Sequence, residues 1–217
     1  MGKEDLKGKG EEERLVQWYL LKTWAGREEE LVQKIRRTVP ASAYQECFVI
    51  YQERIWRKQQ KSIVHVEPLF PGCVFLTGEP VYGTDCESAY GGLPILPVME
   101  EDAQFLEKIS GKEHLVKLSF VQKDEAGNIG RLSEPLNGCR AEIERMQFKK
   151  RYAMVRHRLW GEEKVLVLGI LLNEDRGSKL LYKDGKNRLI AERADNAAMD
   201  IEIEGLKRSF DRGDGVE

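Results

Sequence analysis

From position 15 to 24 a two-residue alternation predicts a strand, with Trp18, Leu20, Lys22 and Trp24 on one face and Tyr19, Leu21 and Thr23 on the other. Gly26 ends it, and the period changes to that of a helix over 27–39. Leu31, Val32, Ile35 and Val39 form its apolar stripe, Glu28, Glu29 and Glu30 suit its N-terminal end, Arg36 and Arg37 its C-terminal end, and Pro40 stops it. A strand over 47–55, a basic polar tip over 56–61 and a returning strand over 62–67 predict a long hairpin. Phe70-Pro71-Gly72 then reads as a bend, because Pro71 fixes φ and Gly72 accepts a positive one, and Cys73-Val74-Phe75-Leu76 as a buried strand. Residues 77–97 read as loop, and 97–109 as a second helix with Phe105, Leu106 and Ile109 as its stripe. The order β-α-β-β-α predicts a sheet with flanking helices, an α+β layer.

Residues 110–124 read as a connector, in which 115–121 has the makings of a strand. Short strand-like runs follow at 129–132, 141–146, 152–159 and 164–172, a spacing that predicts a small barrel over 125–173. The first domain is therefore 14–109. A charged tail (1–13), expected to be disordered, and a polar extension (174–217), expected to be ordered in part at best and anchored by Leu180-Leu181-Tyr182 and residues 201–206, flank the two domains.

Composition narrows the setting. At 217 residues the chain is long enough for one large domain or two small ones with real cores, and no apolar run nears the ~18 residues of a membrane span. The net charge of -2 leaves room for local basic patches. Four scattered cysteines (Cys47, Cys73, Cys86, Cys139) fit neither a metal site nor a disulfide framework, and point to reduced thiols in the cytoplasm. No cofactor or metal is expected, and the protein is expected to be a monomer. His65, His114 and His157 lie far apart, and Gly91-Gly92 lacks the rest of a phosphate loop. A hairpin can bring Glu53 and Glu67 close, but paired strand carboxylates are surface charges more often than an acid–base dyad. The expectation is a binding protein, not an enzyme.

Two clusters carry candidate chemistry. Arg54, Arg57, Lys58 and Lys61 surround Trp56 at the hairpin tip, a composition that suits single-stranded nucleic acid as well as it suits a solvated turn. Lys149, Lys150 and Arg151 form one loop, with Arg140, Arg156 and Arg158 nearby and Phe148 and Tyr152 available for stacking. This set suits phosphate neutralisation, or simply the charged faces of a small barrel.

Trp18-Tyr19 with its helix, Phe70-Pro71-Gly72 and Val74-Phe75 together resemble the N-terminal (NGN) domain of the NusG family of transcription factors. Glu134-Pro135-Leu136-Asn137-Gly138, Ile143 and residues 152–161 are similar to its C-terminal SH3-like KOW β-barrel. Tyr44 to Val49, Phe105 to Lys108 and Gly111 to His114 resemble the antiterminator branch LoaP. The chain departs from the family at Cys73, where a tyrosine is usual, at Ala141, where KOW has a glycine, and in the short 77–97 region. The resemblance implies binding to the clamp coiled coil of RNA polymerase through Trp18, Lys22, Trp24, Phe70, Cys73 and Phe75, positions that otherwise read as ordinary core. It implies contact of the hairpin tip with the non-template DNA strand, and recognition of structured leader RNA by the second domain. Two alternatives remain: a general elongation factor whose KOW domain binds Rho or a ribosomal protein, and a KOW RNA-binding protein of translation.

Overall fold

The computed structural model describes residues 16–58, 61–78, 94–175, 180–184 and 189–193. The first described element is β1 (Gln17–Lys22), followed by α1 (Glu28–Thr38), which matches the predicted helix closely. The predicted strand over 47–55 is two strands, β2 (Glu46–Phe48) and β3 (Tyr51–Lys58). They belong to different sheets, with the buried residues Val49 and Ile50 between them. β3 pairs with β4 (Lys61–Pro68) as the expected hairpin. The pairing runs from Tyr51↔Pro68 to Lys58↔Lys61, so the supposed polar tip is strand through Lys58.

After the Phe-Pro-Gly bend comes β5 (Cys73–Gly78), buried along its whole length. Most of the predicted 77–97 loop lies outside the described residues. Its end is β6 (Ile95–Pro97), which pairs with β1, and α2 (Glu100–Ser110) follows. β2, β5, β1 and β6 form a four-stranded sheet in that order. Leu21, Leu31, Val32, Ile35, Val74 and Leu76 pack on its α1 side. Trp18, Leu20, Phe48 and Phe75 pack on the other side. Covering on both faces explains why β5 reads as an unbroken apolar run rather than an alternation.

The connector is itself structured. β7 (Leu115–Val116) pairs with β3, and β8 (Ser119–Lys123) enters a second sheet with β9 (Ile129–Leu132), β10 (Ile143–Gln147), β11 (Tyr152–Leu159) and β12 (Glu162–Leu172). That sheet has the order β10-β11-β12-β8-β9. Ala141 sits in a short 3-10 turn and is not among the residues with positive φ, so the missing glycine leaves no strain there.

The extension, expected to be ordered in part at best, forms β13 (Leu180–Asp184) and β14 (Leu189–Arg193), and residues 201–206 lie outside the described set. These strands complete a third sheet, β14-β13-β4-β3-β7, around the hairpin. The described residues make a mixed α+β protein, rich in strands and poor in helix.

The two units share one core. Trp18, Phe48 and Phe75 belong to the same buried cluster as Leu136, Val155, Leu159, Leu166, Leu168 and Ile170. Gly169 of β12 makes the close approach possible: a Cβ there would stand 2.4 Å from the Glu53 carbonyl oxygen and 2.5 Å from Leu118 Cδ2. Across the same seam Leu118 N–H donates to Glu53 Oε2 at 3.0 Å, and Lys108 of α2 donates to the Gly138 carbonyl at 2.5 Å.

Candidate functional site

The Phe-Pro-Gly bend is built from below by α1. Glu28 is 3% exposed, and its Oε1 accepts from Gly72 N–H at 2.6 Å and from Gly26 N–H at 3.0 Å. Burial pushes the Glu28 carboxyl up, but the backbone N–H groups, Gly72 first, outweigh it and hold the pKa below the usual value. Gly72 has φ +78°, and a Cβ on it would meet the Thr23 carbonyl oxygen at 2.6 Å, so glycine is required. Thr23 N–H returns a 2.9 Å bond to the Gly72 carbonyl.

This frame presents Phe70, half-buried and edge-on to Phe75 at 6.4 Å. From the second unit, Trp160 packs edge-on against Phe70 at 4.9 Å. Lys22 Nζ lies 5.3 Å from the Trp160 ring centre and donates to Cys73 Sγ at 3.0 Å. Trp160 N–H donates to Asp102 Oδ2 of α2 at 2.9 Å, and His157 stacks on Phe105 with ring centres 3.6 Å apart.

Of the six residues singled out for a polymerase contact, Phe70 and Lys22 therefore meet on one surface beneath Trp160. Trp18, Cys73 and Phe75 are core: Trp18 packs edge-on to Phe48 at 5.2 Å, Cys73 is 3% exposed, and Phe75 is fully buried. Trp24 lies beyond the end of β1, 81% exposed and apart from the others. Trp160, His157 and Asp102 complete the surface; the sequence carries no periodic signal for them, since their partners lie 50 or more residues away.

The basic residues divide as sharply. Lys149 and Lys150 are exposed on the 3-10 turn Phe148–Lys150. Lys123, which spacing alone gave no reason to include, joins them through a cation–π contact with Phe148 at 4.2 Å. Arg151 departs from the expected phosphate contact. It is 2% exposed, its Nε donates to Asp175 Oδ2 at 2.6 Å, and further bonds go to Glu174 and the Phe148 carbonyl. Arg156 is paired with Glu144 at 2.7 Å and Glu163 at 3.2 Å, Arg158 donates to the Gly161 carbonyl at 3.3 Å, and Arg140 reaches the Ile129 carbonyl at 3.5 Å.

On the hairpin, Arg54 pairs with Glu67 at 3.2 Å, and Trp56 is half exposed and stacked on His65 at 4.1 Å. The side chains of Arg57, Lys58 and Lys61 lie outside the described residues. Glu53 turns inward to Leu118 while Glu67 faces Arg54, so the two carboxylates do not meet as a dyad. Among the described residues no cluster of three His, Cys, Asp or Glu side chains is placed to hold a metal, and no helix is long and apolar enough to cross a membrane. The described cysteines are buried and unpaired; burial pushes the Cys47 and Cys139 thiols up to about 11.

No protein-family model matches the sequence, and no curated protein matches it. A solved structure described as "Domain interaction in Thermotoga maritima NusG" is similar to the chain with a TM-score of 0.40 and 16% identity, over 71% of this chain and 93% of that one.

Proposed function

We propose that the chain is a NusG-like transcription factor, with an NGN-like first unit that binds the clamp coiled coil of RNA polymerase and a KOW-like second unit. The supporting observation is Phe70. It is a half-buried aromatic on a turn that Glu28 and Gly72 hold rigid, which is how an interface anchor keeps its ordering cost low. Lys22 lies within reach of the same surface, and Trp160 covers it, so clamp binding competes with packing of the second unit. No bond is made or broken in such a role; the factor shifts the balance between polymerase states.

The finer reading is a processive antiterminator of the cytoplasm, acting as a monomer. Its second unit takes structured leader RNA on Lys149, Lys150 and Lys123 with Phe148, and its hairpin faces the non-template strand. A second reading is a general elongation factor whose second unit docks on protein. The double pairing of Arg156 with Glu144 and Glu163 favours it, because it neutralises part of the basic face. One set of variants separates them. Phe70→Ser is expected to lower affinity for the clamp coiled coil at least tenfold, and unchanged affinity would sink the polymerase reading. Lys149→Glu with Lys150→Glu is expected to weaken hairpin RNA binding and flatten its salt dependence; RNA binding indifferent to that change moves the second unit to the protein-docking reading.

A further inference from the structure

Among the described residues the chain crosses between the two units twice, and both crossings end in strand pairing on the same hairpin. Going out, β7 pairs in parallel with β3, with Tyr51 opposite Leu115 and Gln52 opposite Val116. Coming back, β12 ends in the short turn Asn173–Asp175, and β13 then pairs in parallel with β4, from Leu181↔Ile63 to Asp184↔Val66. A buried bracket stands at the start of the return. Asp175 is 1% exposed and accepts from Arg151 Nε at 2.6 Å, from Arg151 Nη2 at 3.0 Å and from Leu172 N–H at 2.9 Å. Arg151 holds the left-handed conformation, φ +58°, that this geometry needs. A buried ion pair stabilises little in net terms, yet with its hydrogen bonds filled it fixes one arrangement. What it fixes here is the end of β12, at Leu172, against the start of β11.

We propose that the C-terminal hairpin β13–β14 is a strap that holds the Phe70–Trp160 seam shut, and that its displacement from β4 is the step that uncovers Phe70. The aromatic end of the seam is small: the Trp160–Phe70 edge contact, the His157–Phe105 stack, and the Trp160 and Lys108 hydrogen bonds. Contacts of that kind, at the edge of a shared core, part locally at lower cost than the core itself. A second tether raises the effective concentration of each side for the other and so keeps the seam closed without adding a contact to it. The tether is also where release is easiest, since a four-residue parallel ladder is the less stable kind of pairing.

The inference rests on Phe70 being a partner surface, but its test needs no partner. The Trp160 amide, bonded across the seam to Asp102, reports opening by hydrogen exchange in the full chain. Tyr182→Pro removes a donor from β13, and is expected to speed exchange at Trp160 at least tenfold while Leu21, Val74 and Leu168 stay protected. The opposite variant, Leu181→Cys with Ile63→Cys, places thiols at paired positions of β13 and β4. When oxidised it is expected to slow Trp160 exchange below wild type, and reductant should restore it. If Trp160 exchanges as in wild type in both variants, the strap has no such role. A proline variant that loses protection throughout has unfolded, and the cross-link alone then decides: slower exchange supports the strap and unchanged exchange overturns it. Failure of the chain to bind the clamp coiled coil would leave either result standing.

Discussion

Glu28 occupies a position that reads, in sequence, as one of three acidic residues favouring a helix N-terminus. In the fold it is the support beneath the Phe-Pro-Gly bend, buried and bonded to two backbone N–H groups. Its pKa is lowered, so its contribution is present above the unfolded value of about 4.3 and is lost as pH falls through the lower folded value. Glu28→Gln keeps an acceptor but removes the charge. It is expected to cost about 1–2 kcal/mol at pH 7 in chemical denaturation, with the difference from wild type shrinking on acidification below pH ~4. An equal deficit at pH 7 and pH 3 would assign the loss to packing instead. Arg151 shows the limit of reading residues one by one. It ends a Lys-Lys-Arg run whose members look alike, and only the left-handed backbone and an aspartate 24 residues away turn it inward.

At the scale of elements, α1 and α2 were legible because one stripe of each faces a core, while the other face is charged. The hairpin was legible from its two strand-like runs. The break between β2 and β3 was not, since Cys47, Phe48, Val49 and Ile50 are all apolar and all buried, and an unbroken run hides where a chain changes sheets. Nor was Gly169, which looks like a weak point in the Leu-Gly-Ile-Leu-Leu run but is the place where β12 touches the backbone of β3. Gly169→Ala is expected to lower stability by about 1–3 kcal/mol by thermal or chemical unfolding, the usual cost of overpacking. Wild-type stability in that variant would mean that the units separate readily at this point.

For the molecule as a whole, the sequence predicted two domains on a connector, and the alternating apolar runs gave no sign of their association. The surfaces that meet are made of residues each unit would otherwise use for its own core or display: Trp18, Phe75 and Phe70 on one side, Leu136, Leu159 and Trp160 on the other. A shared core makes unfolding of one unit costly to the other. Denaturation followed by far-ultraviolet circular dichroism and by tryptophan fluorescence is expected to give coincident midpoints, whereas two separated transitions would show that the core is not held in common.

The sheet around the hairpin takes β3 and β4 from before the second unit and β13 and β14 from after it. In that arrangement the second unit is an insertion, and the first is a discontinuous domain whose last strands are supplied at the far end of the chain. A single cut at the connector therefore does not yield two finished proteins. It leaves β4 with a bare edge, the kind of template that recruits foreign strands, so a first unit made to stand alone has to carry β13 and β14 with it.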